Sequence, residues 1–296
     1  MNTTTTTGSI TERAMLVTLS IKQWSARKHD KKISREVAES HGCGTADVGK
    51  YNKILVAGAL DSIKKASNAA RTEHYFRTLP WQDGGGRILS SAGYLTYQAA
   101  MKPLEDAFWA GFHAFSPQYS ALVEADRDRL NGMFNPQDYP EPHKLSRHFE
   151  FSIEVLPLPT AADFRVDLGD AEVERVRQSI QERESAKLSA AQRDTWMRLR
   201  DVVQHASDRL KAYQVLPSGK AQHPFRDSLV TNIDELLDIL PTLNLMRDQT
   251  LDTFAARIRS ELTTFKPADL RDSEPLRKSV ASEADSILAN MAEFVA

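Results

Sequence analysis

The chain has 296 residues, of which 41% are hydrophobic and 26% are charged, and its 38 basic side chains nearly balance 40 acidic ones. This composition excludes a largely disordered chain and a collagen, and a single cysteine, Cys43, excludes a disulfide-rich scaffold. We expect a cytoplasmic protein without membrane contact, because no apolar run approaches the roughly 20 residues of a membrane span and the N-terminus lacks a signal-peptide pattern.

Basic residues are concentrated in the first third of the chain. Residues 1–90 contain 14 Lys and Arg against 8 Asp and Glu, so this part carries +6 and the remainder −8. Such asymmetry is typical of proteins that bind an anionic partner, such as nucleic acid, through the basic part. Attraction between the two parts, or solvated helix faces, explains it equally, and the pI of about 6.5 is below that of a dedicated nucleic-acid-binding domain.

Alternating residues predict two strands. The Thr-rich segment 1–10 precedes them and has little to bury, so we expect a disordered tail. Apolar and polar residues then alternate at 15–21 and again at 148–156. Each strand alone would leave its backbone groups unpaired, so we expect the two to form one small antiparallel ribbon.

Two long helices are predicted between these strands. Apolar stripes at helical spacing cover residues 46–78 and 91–133, and Pro117 should kink or split the second helix. Three consecutive glycines, Gly84 to Gly86, cannot sit comfortably inside a helix or strand, so they predict a turn. We therefore expect a helical hairpin across this turn and a first region that spans 11–160.

The second region, 161–296, predicts a helical bundle. Its longest helix covers about 170–213, and shorter amphipathic helices follow at about 224–240, 248–265 and 275–294. Apolar residues recur at heptad spacing along the long helix, which is typical of a coiled-coil seam. We expect this seam to support self-association or partner docking; it comprises Trp196, Leu199, Val203 and Leu210. The fold class is thus mostly α.

No residue pattern predicts catalysis, a metal or a cofactor. Cys43 has no second pair of Cys or His at zinc-site spacing, and neither a nucleophile elbow nor a nucleotide-binding glycine motif is present. Asp126 and Asp128 alternate with arginines, which indicates a solvated helix face rather than an acid–base pair. We therefore expect a protein that is not an enzyme.

The densest cluster of polar and aromatic residues lies around the predicted turn. Arg71, His74 and Arg77 recur every three residues and should lie near one helix face, with aromatic rings close by. Basic groups beside exposed rings suit single-stranded nucleic acid or a protein partner, while a hairpin tip packed on its own rings is the structural alternative. The candidate binding residues are Lys64, Lys65, Arg71, His74, Tyr75, Arg77, Trp81 and Arg87.

The first region resembles a family of uncharacterised bacterial and bacteriophage proteins. The segment Leu19-Ser-Ile-Lys-Gln-Trp-Ser-Ala-Arg-Lys28 is similar to that family's opening L-x-I-x-x-W-[ST]-G-R-K, with Ala26 in place of the glycine. Phe149-Glu-Phe-Ser-Ile-Glu-Val155 is similar to its later F-x-F-x-[IV]-x-V strand. The resemblance covers about residues 15–158. It implies a phage or prophage protein of the host cytoplasm, whose gene neighbours a MoxR-type AAA ATPase and a von Willebrand factor A-domain protein.

Two functions follow as expectations. The first is a non-enzymatic, helix-rich interaction protein that acts in a homo-oligomer or a larger complex, and the resemblance implies an AAA ATPase as its companion. The alternative is a protein that binds or anneals single-stranded nucleic acid through the basic N-terminal third. The two differ in salt dependence, because binding through several phosphates weakens steeply as salt rises.

Overall fold

A computed structural model describes residues 10–81, 85–161 and 169–295. Most of these residues are helical, which confirms a mostly α fold. The predicted tail and Gly84 lie outside the described residues, except for Ile10, which is buried. Among the described residues, no helix combines the length and apolar character that a membrane span requires.

The elements are numbered in chain order. The helices are α1 Lys31–Ser40, α2 Asp61–Arg77, α3 Tyr94–Phe115, α4 Tyr119–Leu130, α5 Asp170–Ala212, α6 Ser228–Leu243, α7 Gln249–Leu262, α8 Pro267–Asp272 and α9 Glu274–Val295. The strands are β1 Ala14–Lys22, β2 Arg27–His29, β3 Asn52–Ile54, β4 Leu79–Pro80, β5 Arg87–Ser90, β6 Glu150–Pro157, β7 Gln214–Val215 and β8 Ala221–Gln222.

The chain divides into two compact units that differ from the predicted regions. The bundle unit comprises Met1–Thr18, Tyr75–Tyr97 and Glu154–Ala296, and the ribbon unit comprises Leu19–His74 and Gln98–Ile153. A division at residue 160 misses this arrangement, because strand pairing and packing join segments that are far apart in sequence. Ala14, Leu16 and Ile88, for example, belong to the same buried cluster as the C-terminal helices.

The two predicted strands are neighbours in one sheet, which confirms their pairing. The sheet is larger than the expected ribbon, since its order is β4-β5-β1-β6. Strand β5 pairs antiparallel with β1, with Ala14 opposite Ser90 and Val17 opposite Arg87. The expectation of only two strands was therefore wrong, because β5 pairs with the other edge of β1 and β4 pairs with β5.

The predicted helix at 46–78 was wrong in its first half. Helix α2 begins only at Asp61, and β3 pairs antiparallel with β2 in a two-stranded sheet in which Lys28 lies opposite Lys53. Val56 and Gly58, with φ of +42° and +80°, lie between β3 and α2. Positive φ is incompatible with a right-handed helix, so the chain cannot be helical through this loop.

The predicted helix at 91–133 is split where proline was expected to disturb it. Helix α3 ends at Phe115, a 3₁₀ turn spans Ser116–Gln118, and α4 begins at Tyr119. The glycine-rich segment does not join α2 to α3 directly, as the hairpin prediction required. It lies between β4 and β5, which pair antiparallel.

The C-terminal bundle is confirmed. Helix α5 runs for 43 residues, and its second half packs with α6, α7 and α9 around one buried cluster. Leu199, Val203 and Ile258 in this cluster have no exposed surface. Burial of such large aliphatic side chains stabilises a fold by about 2 kcal/mol each.

An aromatic core holds the ribbon unit together. Phe108 and Phe112 on α3 face Phe149 and Phe151, with ring centroids 5.6 Å apart for Phe108 and Phe151 and 4.9 Å apart for Phe112 and Phe149. Tilted and edge-on rings at these distances attract each other beyond simple burial. Gly111, on α3, lies so close to α2 that a Cβ there would come within 2.9 Å of Ile63.

Gly111→Ala tests this close approach of α2 and α3. The added methyl group would meet both the side chain and the backbone of Ile63, so we expect a loss of about 1–3 kcal/mol in the free energy of unfolding. Gly49→Ala is the control, because nothing lies within 4 Å of its Cβ position. Urea unfolding would contradict the packing if the two variants proved equally stable.

Candidate partner-binding surface

Several of the candidate binding residues around the predicted turn, between Lys64 and Arg87, make contacts within the protein. We call this segment the predicted tip. Trp81 is buried, at 4% exposure, so its ring cannot stack on a base. Tyr75 is exposed, but the guanidinium of Arg87 lies 4.7 Å from its ring centroid. Arg87 also donates to the Thr78 Oγ1 and carbonyl oxygens at 2.6 and 2.9 Å, and burial together with nearby Arg198 lowers its pKa. Arg87 therefore holds the turn in place.

The remaining tip residues do not form one open cationic face. Arg71 donates to the carbonyl of Ile21 at 3.2 Å, and Lys64 pairs with Asp61 at 3.4 Å. His74 is buried and Arg77 is half-buried, which leaves Lys65 as the fully exposed cation of this set. Lys64, Lys65, Arg71 and His74 belong to the ribbon unit, and Tyr75, Arg77, Trp81 and Arg87 to the bundle unit.

The predicted docking seam is covered by the chain itself, which removes the sequence argument for docking through it. Trp196 stacks on Phe294 at 4.8 Å, packs edge-on against Phe254 and donates its indole N–H to Asp248 at 3.2 Å. Leu199, Val203 and Leu210 are equally buried. Heptad spacing predicts an apolar face, but it does not tell whether the chain's own helices fill that face.

A buried carboxylate lies where a solvated face was expected. Asp126 is 3% exposed, whereas Asp128 is exposed as predicted. The Oδ2 atom of Asp126 accepts hydrogen bonds from the Val56 amide at 2.6 Å and the Tyr139 hydroxyl at 2.9 Å, and Oδ1 accepts from Arg129. The expectation was wrong for Asp126, because the loop after β3 and the segment after α4 fold over it.

A second ionic cluster lies under the β2–β3 ribbon. Lys53 Nζ lies 2.6 Å from Asp138 and 3.4 Å from Asp30, and it donates to the Met133 carbonyl at 2.9 Å. Burial lowers the pKa of Lys53, but both carboxylates outweigh it and raise the pKa above its ordinary value. Asp30 in turn caps α1 through the amides of Lys32 and Ile33.

These contacts hold a strained backbone at one end of the ribbon, where β2 begins and β3 ends. Ala26 and Val56 have φ of +49° and +42°, which side chains other than glycine adopt at a cost of about 1–2 kcal/mol. The Leu55 amide donates to the Ala26 carbonyl at 2.8 Å, and the Asp126 carboxylate holds the Val56 amide. Ala26 occupies the position where the resembling family has glycine, the residue that adopts this conformation without strain.

Helix α1 and the ribbon together present a surface that the sequence did not predict. Tyr51 joins them, because its carbonyl accepts from the Asp30 amide and its own amide donates to Ser34 Oγ at 3.2 Å. Val37 follows Ser34 by one helical turn, and Ile54 lies opposite Arg27. We call these residues the basic ribbon surface: Arg27, Lys31, Arg35, Val37, Lys50, Tyr51 and Ile54.

Two features distinguish this surface. Val37, Tyr51 and Ile54 are large apolar side chains with 40%, 41% and 52% exposure. Arg27, Lys31, Arg35 and Lys50 are exposed, and their side chains form no ion pair or hydrogen bond with the described residues. The basic run from Arg27 to Arg35 is visible in the sequence, but nothing there shows that residues 50–54 fold back beside it.

The described residues show no grouping of three or more His, Cys, Asp or Glu that could hold a metal ion. Cys43 is exposed, with its thiol 3.7 Å from the Ala38 carbonyl. In comparisons with known proteins, no family model, no curated protein and no solved structure matches this chain. The family resemblance stated above stays a prediction.

Asp126→Asn tests the buried carboxylate against its exposed neighbour. The amide removes the charge that Arg129 pairs with and replaces an acceptor by a donor, so we expect a loss of roughly 3 kcal/mol in the free energy of unfolding. Asp128→Asn should change this free energy by less than about 0.5 kcal/mol. Comparable losses in chemical denaturation would show that Asp126 is not the buried partner.

The pH dependence of stability tests the Asp30–Lys53 pair. Burial raises the pKa of Asp30, but the Ile33 amide and the Lys53 ammonium outweigh burial, and the pKa lies below its ordinary value. A lowered pKa adds stability that is present above the unfolded-state pKa of about 3.9 and lost as the pH falls through the folded-state pKa. Lowering the pH therefore reduces the free energy of unfolding, because protonated Asp30 no longer pairs with Lys53.

Asp30→Asn isolates that effect, because asparagine caps a helix about as well as aspartate. We expect the wild type to be more stable than the variant above about pH 5 and the difference to shrink toward about pH 3. Urea unfolding at a series of pH values measures it. A difference that does not change with pH would rule out an ionic contribution from Asp30.

Proposed function

We propose that this protein is a non-enzymatic interaction protein whose basic ribbon surface binds a protein partner with an acidic face. The observation that carries the proposal is that α1 and the ribbon expose Val37, Tyr51 and Ile54 and also carry cations that form no ion pair among the described residues. Aromatic, aliphatic and Arg side chains in a central patch with a polar rim are the usual composition of a protein-binding site.

The apolar residues are expected to supply most of the affinity. Ile54 is 52% exposed, so a partner that covers it gains about half of the free energy of full burial, about 0.8–1.5 kcal/mol. Tyr51 is tied to α1 through its backbone, so ordering it on binding costs little conformational entropy. The ionic cluster beneath the ribbon, centred on Lys53, fixes the backbone that carries both side chains.

The cations are expected to determine which kind of partner binds. Arg27, Lys31, Arg35 and Lys50 have no acidic partner among the described residues, so an acidic surface would meet four available positive charges. Charges at the rim mainly raise the association rate and exclude partners of the same sign. Lys32 differs from this set, because it lies 3.8 Å from Glu36.

The other parts of the expected function rest on separate arguments. Self-association through the seam loses its argument, because that seam is filled from within. A phage or prophage origin and an AAA ATPase in the same complex rest on the family resemblance alone. The absence of catalysis rests on the sequence patterns.

The matched variants for a test are Tyr51→Ala/Ile54→Ser and Leu95→Ser. Leu95 is 74% exposed and belongs to the bundle unit, so it controls for loss of an exposed apolar side chain elsewhere. Tagged wild type and variants would be used for affinity capture from the native cell, with and without nuclease. We expect a protein partner that survives nuclease, is retained by Leu95→Ser and is lost with the double variant. Capture that is equal for all three proteins would contradict the proposal.

Single-stranded nucleic acid is the second candidate, and one observation favours it. Tyr51 is exposed and follows Lys50, which forms no ion pair among the described residues, and platforms for single strands combine such rings with cations. A labelled single-stranded DNA titration would compare Arg27→Gln/Lys31→Gln with Arg183→Gln/Arg193→Gln, a pair of exposed arginines on α5. Binding that falls steeply with salt and weakens only in the first variant would favour nucleic acid over protein. No wild-type binding at low salt would remove this candidate.

A further inference from the structure

A groove in the bundle unit has two arginines and no carboxylate among its described lining residues. It lies where α5 passes the start of α6 and has a volume of about 300 Å³. This volume is at the lower end of the range for small-ligand sites. Its lining is His205, Arg209, Pro224, Phe225, Arg226, Ser228, Leu229 and Asn232.

The polar side chains of this groove are not used by the fold. Among the described residues, nothing forms an ion pair or hydrogen bond with the side chains of His205, Arg209, Arg226, Ser228 or Asn232. Most arginines of the bundle unit are engaged: Arg198 donates to the Phe76 and Thr78 carbonyls, and Arg277 to that of Leu270.

The acidic residues that are nearest in sequence to Arg209 and Arg226 bind other side chains. Asp208 accepts a hydrogen bond from Gln204 at 2.8 Å, and Asp227 pairs with Arg271 at 2.8 Å. The two guanidinium groups of the groove thus lack a counterion among the residues that the structure describes. His205 and Arg209 are four residues apart on α5 and therefore share one helix face.

Beside these cations the groove has an apolar wall. Phe225 and Leu229 are buried, at 5% and 6% exposure, and Arg271 lies 5.7 Å from the Phe225 ring centroid. Phe225 is also fixed by an edge-on contact with Tyr213 at 5.2 Å. The wall is thus packed against the bundle, while Arg209 and Arg226 at the rim are exposed.

We infer that this groove binds a phosphate monoester whose organic part lies against Phe225 and Leu229. Guanidinium groups donate paired hydrogen bonds to phosphate oxygens, and a doubly charged anion can accept from both arginines at once. The Ser228 hydroxyl and Asn232 amide supply further neutral donors at the same rim. The ligand could be a free small phosphate ester or a phosphorylated side chain of another protein, since both present the same group.

The experiment measures binding of three probes by isothermal calorimetry at low salt: inorganic phosphate, phenyl phosphate, and a phosphoserine peptide beside its unphosphorylated form. We expect phenyl phosphate to bind saturably and more tightly than inorganic phosphate, because its ring meets the apolar wall. A phosphopeptide that binds more tightly than phenyl phosphate would identify a phosphorylated protein as the source. The reverse order would identify a small phosphate ester.

The variants Arg209→Gln/Arg226→Gln and Arg183→Gln/Arg193→Gln remove the same charge from exposed positions. Arg193 lies twelve residues before His205 on the same helix, about 18 Å along its axis. We expect the first variant to lose affinity for phenyl phosphate at least about tenfold and the second to keep it. The inference is overturned if no probe binds, if both variants bind equally, or if inorganic phosphate binds as tightly as phenyl phosphate. Matching thermal unfolding curves would show that both variants are folded.

Discussion

The carboxylate of Asp126 is the interaction on which the ribbon unit depends. It is buried, and it binds the Val56 amide, the Tyr139 hydroxyl and the Arg129 guanidinium at once. These partners come from three separate stretches of chain, and an unpaired buried charge would be costly. The carboxylate therefore brings α4, the loop after β3 and the segment after α4 together, and a backbone that is strained at Val56 is held in place.

Charged residues have two distinct roles in this protein. Arg87 and Arg198 donate to the Thr78 carbonyl, and Arg277 donates to the carbonyl of Leu270 in α8, all within the bundle unit. The cations of the basic ribbon surface and of the α5–α6 groove have no such partner among the described residues. This contrast, rather than the number of basic residues, identifies two places where several unmatched positive charges could meet an external anion or acidic surface.

Sequence patterns predicted the elements whose periodicity reflects burial. The helix from Asp170 to Ala212 and the alternation around Phe151 are visible because one face of each is apolar throughout. The turn of chain at Val56 was missed, because a β-branched residue at positive φ is stabilised by Asp126, which is 70 residues away. Helix propensity at residues 46–60 cannot report such a distant contact.

The candidate site was predictable only in part, for a related reason. The basic run after Trp24 is evident, but Tyr51 and Ile54 lie beside it only once β2 and β3 pair. Conversely, Arg71 and Arg87 looked available because nothing local could pair with them, and the fold supplies carbonyl acceptors at Ile21 and Thr78. Availability of a charged side chain is a property of the tertiary structure.

The central claim is that a buried carboxylate holds the loop after β3 in a single conformation. Amide hydrogen exchange of Val56, followed by NMR, tests this claim most directly, because the amide donates to Asp126 rather than to regular secondary structure. We predict that Val56 exchanges as slowly as the amides in the core of α3, whereas the nearby Gly58 amide exchanges much faster. Rapid exchange of Val56 in an otherwise folded protein would contradict the account.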